Sequence, residues 1–260
     1  MVEQSTRDRV DEYWSSTLAT SVAELHAPGV RVRANPPNRQ SWRGIYVLAF
    51  GGATIFVPDD HLAKVSAAVG GRAAEEVVEA TTWQGVLGDS AQTIVGPVRH
   101  YYLDRADGLA ELAAGRRLNP TDSNALGVLR TAVHAQDWVL TGFTAQPAML
   151  FGIFEGETLV AAANLTAGPT AKGDPSAHAA TDIGIVIHPD ARGRGHGRSI
   201  TALAAKQAIA MYGVARYRGL TADPSTVAIA SRLGFSEYGR NLVAYLNAQP
   251  IGIDATPMVL

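Results

Sequence analysis

The most informative part of the sequence runs from Thr181 to Met211 and reads TDIGIVIHPDARGRGHGRSITALAAKQAIAM. Its first part, Asp182 to Ile187, is a short β-branched run with the length and composition of a strand. Pro189 ends that strand because proline cannot donate a hydrogen bond to a ladder. Apolar residues then recur at helical spacing, at Ile200, Leu203, Ala204, Ala208 and Met211. This spacing predicts a helix from near Ser199.

The segment between strand and helix is rich in glycine and arginine. Gly193, Gly195 and Gly197 alternate with larger residues, so backbone N–H groups can face one concavity without obstruction from Cβ atoms. The following helix adds free N–H groups and the positive end of its dipole. The pattern therefore predicts a site for phosphate or diphosphate. The alternative is an ordinary strand-to-helix turn with solvated arginines.

Two familiar phosphate-binding motifs do not fit this spacing. A P-loop requires G-x-x-x-x-G-K-[ST], and no lysine follows these glycines. A dinucleotide fingerprint requires G-x-G-x-x-G, but its third glycine would fall on Ile200 or on Arg198. The residues fit R-x-x-G-x-G instead, with Arg192, Gly195 and Gly197.

A strand ending in Val-Ile-x-Pro and followed by R-G-R-G-x-G-R resembles the acetyl-CoA-binding segment of the GNAT superfamily of N-acetyltransferases. A second stretch, residues 221–235, is similar to the family in its Gly-Phe terminus. It departs from the family pattern N-x-x-A-x-x-x-Y, because Asp223, Thr226 and Ala230 occupy the Asn, Ala and Tyr positions. Ala230 therefore cannot supply the phenol that commonly acts as general acid in this family.

The resemblance implies acetyl-CoA as cofactor, with CoA as product. The strand backbone would pair with the pantetheine amides, and the loop amides would bind the diphosphate. The strand would splay from the next one, Val214 to Thr221, and so open a slot for the thioester. The implied cofactor-binding residues are Ile185, Val186, Ile187, Arg192, Gly193, Arg194, Gly195, His196, Gly197, Arg198 and Ser199.

The resemblance also implies a base, because the attacking amine must be neutral. The candidates are Asp182, close to a common Glu position of the family, Glu155 or Glu157 in a hairpin turn, and His188, which titrates in the right range. The Ile187 N–H is the implied donor to the reaction's oxyanion. Each candidate has a structural alternative: a hydrogen-bonded strand residue for Asp182, a solvated turn residue for Glu155, and a strand cap for His188.

The predicted fold class is α/β (α+β), with a GNAT-like mixed sheet flanked by helices. The predicted domains are an α+β unit at residues 1–120 and the acetyl-CoA-binding catalytic domain at 121–260. By fold-level analogy, the first domain is a candidate degenerate GNAT-like half. Periodicity predicts single helices at Ser5–Leu25 and Ser123–Gln136. Residues 167–180 are predicted to form a Gly/Pro/Ala-rich loop.

Composition limits the classes of function. The 260 residues carry a net charge of −2, with 12 basic and 14 acidic side chains before residue 121 and 10 of each after it. Neither half is a polycation, so a nucleic-acid partner is not expected. The chain has no cysteine, which fits a cytoplasmic protein, and no metal site is expected. No apolar run reaches 18 residues, so a membrane is not expected as partner. A homodimer is compatible with the sequence.

These observations predict an acetyl-CoA-dependent N-acetyltransferase that acts on a primary amine of a small molecule. The alternative is a non-catalytic acyl-CoA-binding or sensing protein, which Ala230 at the usual tyrosine position favours.

Overall fold

The computed structural model describes residues 2–36, 44–143, 149–167 and 181–246. The chain divides into two compact units. Unit 1 comprises residues 1–7, 101–218 and 224–236, and unit 2 comprises residues 8–100, 219–223 and 237–260. These bounds differ from the predicted division at residue 120, because each unit combines segments that are distant in the sequence.

The helices are α1 (Gln4–Thr17), α2 (Val22–His26), α3 (Leu62–Val69), α4 (Ala74–Val77), α5 (Ala80–Leu87), α6 (Leu109–Leu112), α7 (Ser123–Ala132), α8 (Ala135–Leu140), α9 (His196–Tyr212) and α10 (Pro224–Arg232). The strands are β1 (Val30–Ala34), β2 (Gly44–Ala49), β3 (Ala53–Val57), β4 (Ala91–Leu103), β5 (Arg116–Arg117), β6 (Met149–Glu155), β7 (Thr158–Ala167), β8 (Thr181–Ile187), β9 (Ala215–Leu220) and β10 (Ser236–Leu246).

Unit 2 contains strands in the order β1-β3-β2-β10-β4. β1 and β3 are parallel, whereas β2 is antiparallel to both β3 and β10. Its core contains Val47, Ile55, Trp83 and Leu242, all fully buried. The C-terminal strand therefore completes the core of this unit, although some 190 residues separate it in sequence from β2.

Two predicted helices are each interrupted by a residue that caps a new helix. The helix predicted from Ser5 to Leu25 is divided into α1 and α2, because Ser21 and Glu24 form a capping box. The helix predicted from Ser123 to Gln136 is divided into α7 and α8, because His134 Nδ1 accepts a hydrogen bond from the Gln136 N–H. The predictions of single helices were therefore wrong, since periodicity does not reveal caps inside an apolar pattern.

Unit 1 contains strands in the order β9-β8-β7-β6-β5. Among the pairs whose register is described in this unit, β8 and β9 are parallel and the other three are antiparallel. Successive side chains of β8 point to opposite faces. Ile183 is buried in the core under α9, and Val186 is buried with Leu129 and Trp138 of α7 and α8. Helices therefore cover both faces of this sheet, and the predicted fold class of mixed sheet and flanking helices is confirmed.

Helix α9 packs closely on this sheet because the contact is made of small side chains. Its fully buried alanines are Ala202, Ala204, Ala205 and Ala208. Ala161 and Ala163 of β7 are fully buried in the same core. Small residues bring helix and sheet backbones close together, which fixes the start of α9 relative to the end of β8.

None of the described helices is both long and apolar enough to cross a membrane. The loop predicted at residues 167–180 lies outside the described residues from position 168 onward.

An ion pair joins the edge strand of unit 1 to the start of α7. Arg116 donates two hydrogen bonds to the Asp122 carboxylate, at 2.8 and 2.7 Å. The Asn119 N–H donates a third, at 2.8 Å. These donors, Arg116 foremost, lower the pKa of Asp122 to about 2. Because this pKa lies below the ordinary value of 3.8, the pair stabilises the fold above that value and ceases to do so as the pH falls towards 2.

We therefore expect Asp122→Asn to lower the melting temperature at pH 7. The difference from the unmodified protein should shrink as the pH falls from about 4 towards 2, because the carboxylate is then protonated in both states. Thermal unfolding followed by circular dichroism at several pH values measures it. Asp107→Asn, at an exposed position of the same unit, is the matched control. A pH-independent difference would contradict the assigned role of the charge.

Candidate functional site

The loop between β8 and α9 has a backbone that only glycine adopts easily. Gly193 and Gly195 have φ angles of +79° and +88°, in the left-handed region that disfavours other residues. Apart from the adjoining residues, no heavy atom in the described part of the chain lies within 4 Å of the position that a Cβ would occupy at either glycine. These two glycines therefore shape the loop and leave open space beside it.

The first turn of α9 presents backbone donors at this loop. The helix begins at His196 with Gly195 as N-cap, three residues earlier than predicted. The Ser199 N–H donates to the Gly195 carbonyl at 3.1 Å, so the preceding N–H groups of the turn have no partner within the helix. Residues 196–198 therefore present their N–H groups at the positive end of the dipole. Ser199, in contrast, uses its own N–H inside the helix.

The third glycine has a different role, because it allows a close approach. A Cβ on Gly197 would lie 3.1 Å from Cδ1 of Ile229 and 3.8 Å from Cδ1 of Ile185. The start of α9 thus lies directly against β8 and α10. A methyl group at Gly197 would press on the Ile229 side chain of α10, whereas its distance to Ile185 of β8 would be an ordinary van der Waals contact.

Carboxylates lie close to two of the three loop arginines. Arg192 lies 3.7 Å from Asp137, and Arg194 donates to Glu155 at 2.9 Å. Arg198 differs, because its buried Nε finds no hydrogen-bond partner in the described part of the chain. A buried donor of this kind costs free energy unless an acceptor arrives, so Arg198 is well suited to bind an anion.

Strand β8 is paired along one edge but only partly along the other. Its whole length, residues 181–187, pairs with β7, whereas β9 pairs only with residues 181–183. The His188 N–H donates to Val160 of β7, so alternation directs the polar backbone groups of Ile185 and Ile187 towards the open edge. By the same alternation the backbone N–H and C=O groups of Val186 point towards β7. The expected splay of the two strands is therefore present, with Ile185 and Ile187 beside it.

Asp182, the first candidate base, is bound by two arginines. Both of its oxygens accept hydrogen bonds from Arg216, and Arg218 donates a further one at 3.0 Å. The Arg216 side chain is only 2% exposed. A carboxylate whose lone pairs already accept from guanidinium groups is poorly prepared to take a proton from an amine. These contacts favour the structural alternative for Asp182.

Glu155, the second candidate, also has both oxygens occupied. It accepts from His196 Nε2 and from Arg194 Nη1, each at 2.9 Å. The His196 hydrogen bond, more than the Arg194 charge, lowers the pKa of this carboxyl below its ordinary value. The lowered pKa makes Glu155 a weaker base and not a stronger one.

His188, the third candidate, caps the short turn that follows β8. Its Nδ1 accepts a hydrogen bond from the Asp190 N–H at 3.3 Å. A neutral ring that accepts at Nδ1 carries its proton on Nε2, so its basic nitrogen is the one already occupied. The catalytic assignments of Asp182, Glu155 and His188 stay predictions, and all three side chains have structural contacts here.

Ala230 is fully buried in α10, and its carbonyl accepts the Phe235 N–H. The position that often carries the family's tyrosine is thus part of the apolar core in this chain.

One polar cluster of the site could not be identified from the sequence. Asn164 of β7 is 1% exposed and bridges two elements. Its Nδ2 donates to the Thr141 carbonyl at the end of α8, and its Oδ1 accepts the Gly184 N–H at 3.1 Å. A Cβ on Gly184 would overlap the Thr141 carbonyl. Gly184 therefore allows α8 to approach β8 next to the open edge.

We expect Gly184→Ala to lower the free energy of unfolding by roughly 1–3 kcal/mol, because the added methyl group meets backbone atoms that cannot yield easily. Urea unfolding measures the change. Gly127→Ala is the matched control, since Gly127 lies exposed in α7 with no heavy atom within 4 Å of a Cβ. That control should gain up to about 1 kcal/mol from helix propensity. Equal effects of the two substitutions would contradict the close approach.

Comparison with known protein families identifies a domain that contains this site. Residues 120–235 match the model of the acetyltransferase (GNAT) family. The matched segment contains β8, the glycine loop, α9 and α10. The predicted family is thus confirmed for the C-terminal half of the chain, and members of this family generally use acetyl-CoA. No curated protein matches the chain.

Solved structures with similarity to the chain include three acetyltransferases or candidates for that activity. One is an acetyltransferase from the GNAT family of Colwellia psychrerythraea, with 14% identity, a TM-score of 0.46, and coverage of 64% of this chain and 61% of that one. Another is a putative GNAT acetyltransferase from Novosphingobium aromaticivorans, with 17% identity, TM-score 0.46 and coverages of 61% and 67%. A GCN5-related N-acetyltransferase from Kribbella flavida has 18% identity, TM-score 0.43 and coverages of 64% and 64%.

Proposed function

We propose that this chain, which carries a GNAT acetyltransferase domain at residues 120–235, transfers an acetyl group from acetyl-CoA to a primary amine of a small molecule. One observation carries the proposal: the open edge of β8 continues directly into a loop lined by N–H groups at the start of α9. An elongated ligand with amide groups and a diphosphate requires this continuity.

The residues of the strand and loop fit the cofactor. Ile185 and Ile187 would offer backbone groups to the pantetheine amides, and residues 196–198 would offer N–H groups to the diphosphate. Arg198 would supply the charged donor, since its buried Nε lacks an acceptor in the described part of the chain. Acetyl-CoA supplies an activated acetyl group as a thioester. The chain's own contribution is to bind and orient it.

Proton transfer in this proposal does not use the three predicted bases. Asp182, Glu155 and His188 already accept hydrogen bonds from neighbouring groups. The amine instead passes its proton to water, and the rate follows the neutral fraction of the amine. The departing thiolate has a pKa not far above that of a cysteine thiol, about 8.5, so it leaves without a phenol at the Ala230 position.

We expect Gly195→Glu to weaken CoA binding by at least about tenfold, because a negative charge would lie beside the proposed diphosphate position. Gly195 has a left-handed backbone, so any side chain introduces strain. Gly195→Asn is the matched control, since asparagine tolerates this conformation and is uncharged. Calorimetric titration with CoA compares the variants. The same affinity for the Glu and Asn variants would contradict the location of the diphosphate.

We expect Asp182→Asn to lower the free energy of unfolding by about 3 kcal/mol, because Arg216 would remain buried without its carboxylate. Any accompanying loss of kcat/KM should be the same at every pH. Chemical unfolding and a pH profile of acetyl transfer measure the two effects. A loss of kcat/KM that disappears at high pH would instead identify Asp182 as the base.

A non-catalytic acyl-CoA-binding protein is the second candidate, and the buried Ala230 favours it. Release of free thiol, detected with DTNB in the presence of acetyl-CoA and a panel of amines, reports turnover. Calorimetry reports binding alone. CoA binding without thiol release on any amine would favour the second candidate, whereas absence of CoA binding would overturn both.

A further inference from the structure

Two side chains on either side of Gly195 converge on one carboxylate from a different hairpin. Arg194 Nη1 donates to Glu155 Oε2, and His196 Nε2 donates to Glu155 Oε1, both at 2.9 Å. Glu155 is the last residue of β6, and its partners lie about 40 positions later in the chain. A single carboxylate thus bridges the β6–β7 hairpin to the loop and to the first residue of α9.

The hairpin directs Glu155 towards the loop. The β6–β7 register shifts between Ile153 and Phe154, so that Val160 of β7 is skipped in the pairing just before Glu155. Such an irregularity increases the local twist of the hairpin that carries Glu155. Glu155 pairs with Thr158 across the turn, so its backbone is held by the ladder. A carboxylate on a rigid hairpin is a suitable anchor for a mobile partner.

The loop needs an anchor because glycine gives it little rigidity of its own. Gly193 and Gly195 have many accessible conformations in the absence of restraints. Arg194 lies between them and also donates to the Asp190 carbonyl at 2.8 Å. The two bonds to Glu155 therefore restrain the residues before and after Gly195. A ligand that binds a restrained loop does not have to order it.

We propose that Glu155 is a positioning residue that holds the loop of residues 192–198 in the conformation that binds the cofactor's diphosphate. The inference rests on the proposed function of that loop. It replaces the role of catalytic base predicted for Glu155, since both oxygens are used to restrain the loop.

The carboxylate charge does not make Glu155 a competitor of the diphosphate. Its negative charge is matched by the Arg194 guanidinium and is further stabilised by the His196 donor. Removal of the carboxylate would release His196 and would leave Arg194 held by its bond to the Asp190 carbonyl alone. The cost of ordering the loop then exceeds the relief of repulsion, so the variant should bind CoA more weakly.

The test compares Glu155→Gln and Glu155→Asp with Glu157→Gln. Glu157 is an exposed residue of the same turn, so its substitution removes the same charge without touching the loop. Aspartate keeps the negative charge but shortens the side chain by one methylene group. This variant therefore tests whether the charge is sufficient without the contacts to Arg194 and His196. We expect CoA affinity, measured by calorimetry, to fall by about tenfold in both Glu155 variants and to stay unchanged in Glu157→Gln.

Two further measurements make the outcome specific. Hydrogen exchange of the amides of residues 193–198, without ligand, should be faster in both Glu155 variants than in Glu157→Gln. In acetyl transfer, KM for acetyl-CoA should rise while kcat is retained. Either unchanged exchange or unchanged or tighter CoA binding in Glu155→Gln would overturn the inference. A fall of kcat that is restored at high pH would overturn it as well, in favour of a base.

The inference and the proposed function fail in different ways. If the unmodified protein does not bind CoA, the proposed function is wrong, while exchange in the ligand-free protein still reports whether Glu155 restrains the loop. If the unmodified protein binds CoA and the Glu155 variants bind it equally well, only the role of Glu155 is wrong.

Discussion

The site depends on the unequal pairing of strand β8. One edge is fully paired with β7, whereas the other is paired with β9 only at residues 181–183. The full ladder holds β8 rigidly, and the partial one leaves backbone donors and acceptors exposed along a fixed edge. Exposed strand edges readily accept another extended chain, and pantetheine is such a chain in chemical terms. Under the proposed function, the location of the edge that would bind pantetheine is therefore set by backbone pairing and not by side chains.

Helix α9 connects this edge to the glycine loop, the proposed anion-binding site. Buried alanines bring α9 against the sheet, and Gly197 lets its first turn lie close to Ile229 of α10, with Ile185 of β8 nearby. The N–H groups of that turn consequently begin where the open edge ends. Gly184 has the corresponding role on the other face, where it admits the end of α8. Small residues thus determine how closely the elements around the edge approach one another.

The features predicted correctly from the sequence are those encoded within one short stretch. The strand, the glycine loop and the helix follow one another between residues 181 and 212, so their order could be predicted without tertiary contacts. The partners of the ionisable residues are different, because they come from distant positions. Arg216 reaches Asp182 from β9, and His196 reaches Glu155 across a hairpin. A carboxylate that looks available in the sequence can therefore be fully engaged in the fold.

The arginine charges around the loop are largely balanced by neighbouring carboxylates. Carboxylates lie close to Arg192 and Arg194, whereas the buried Nε of Arg198 lacks an acceptor in the described part of the chain. Most of the arginine charge in the motif is thus balanced by the protein itself, which also has a net charge of −2. Attraction of an anion then depends mainly on oriented backbone N–H groups and the helix dipole, which carry no compensating carboxylate. The glycines, which create that orientation, are accordingly a better guide to this site than the arginines between them.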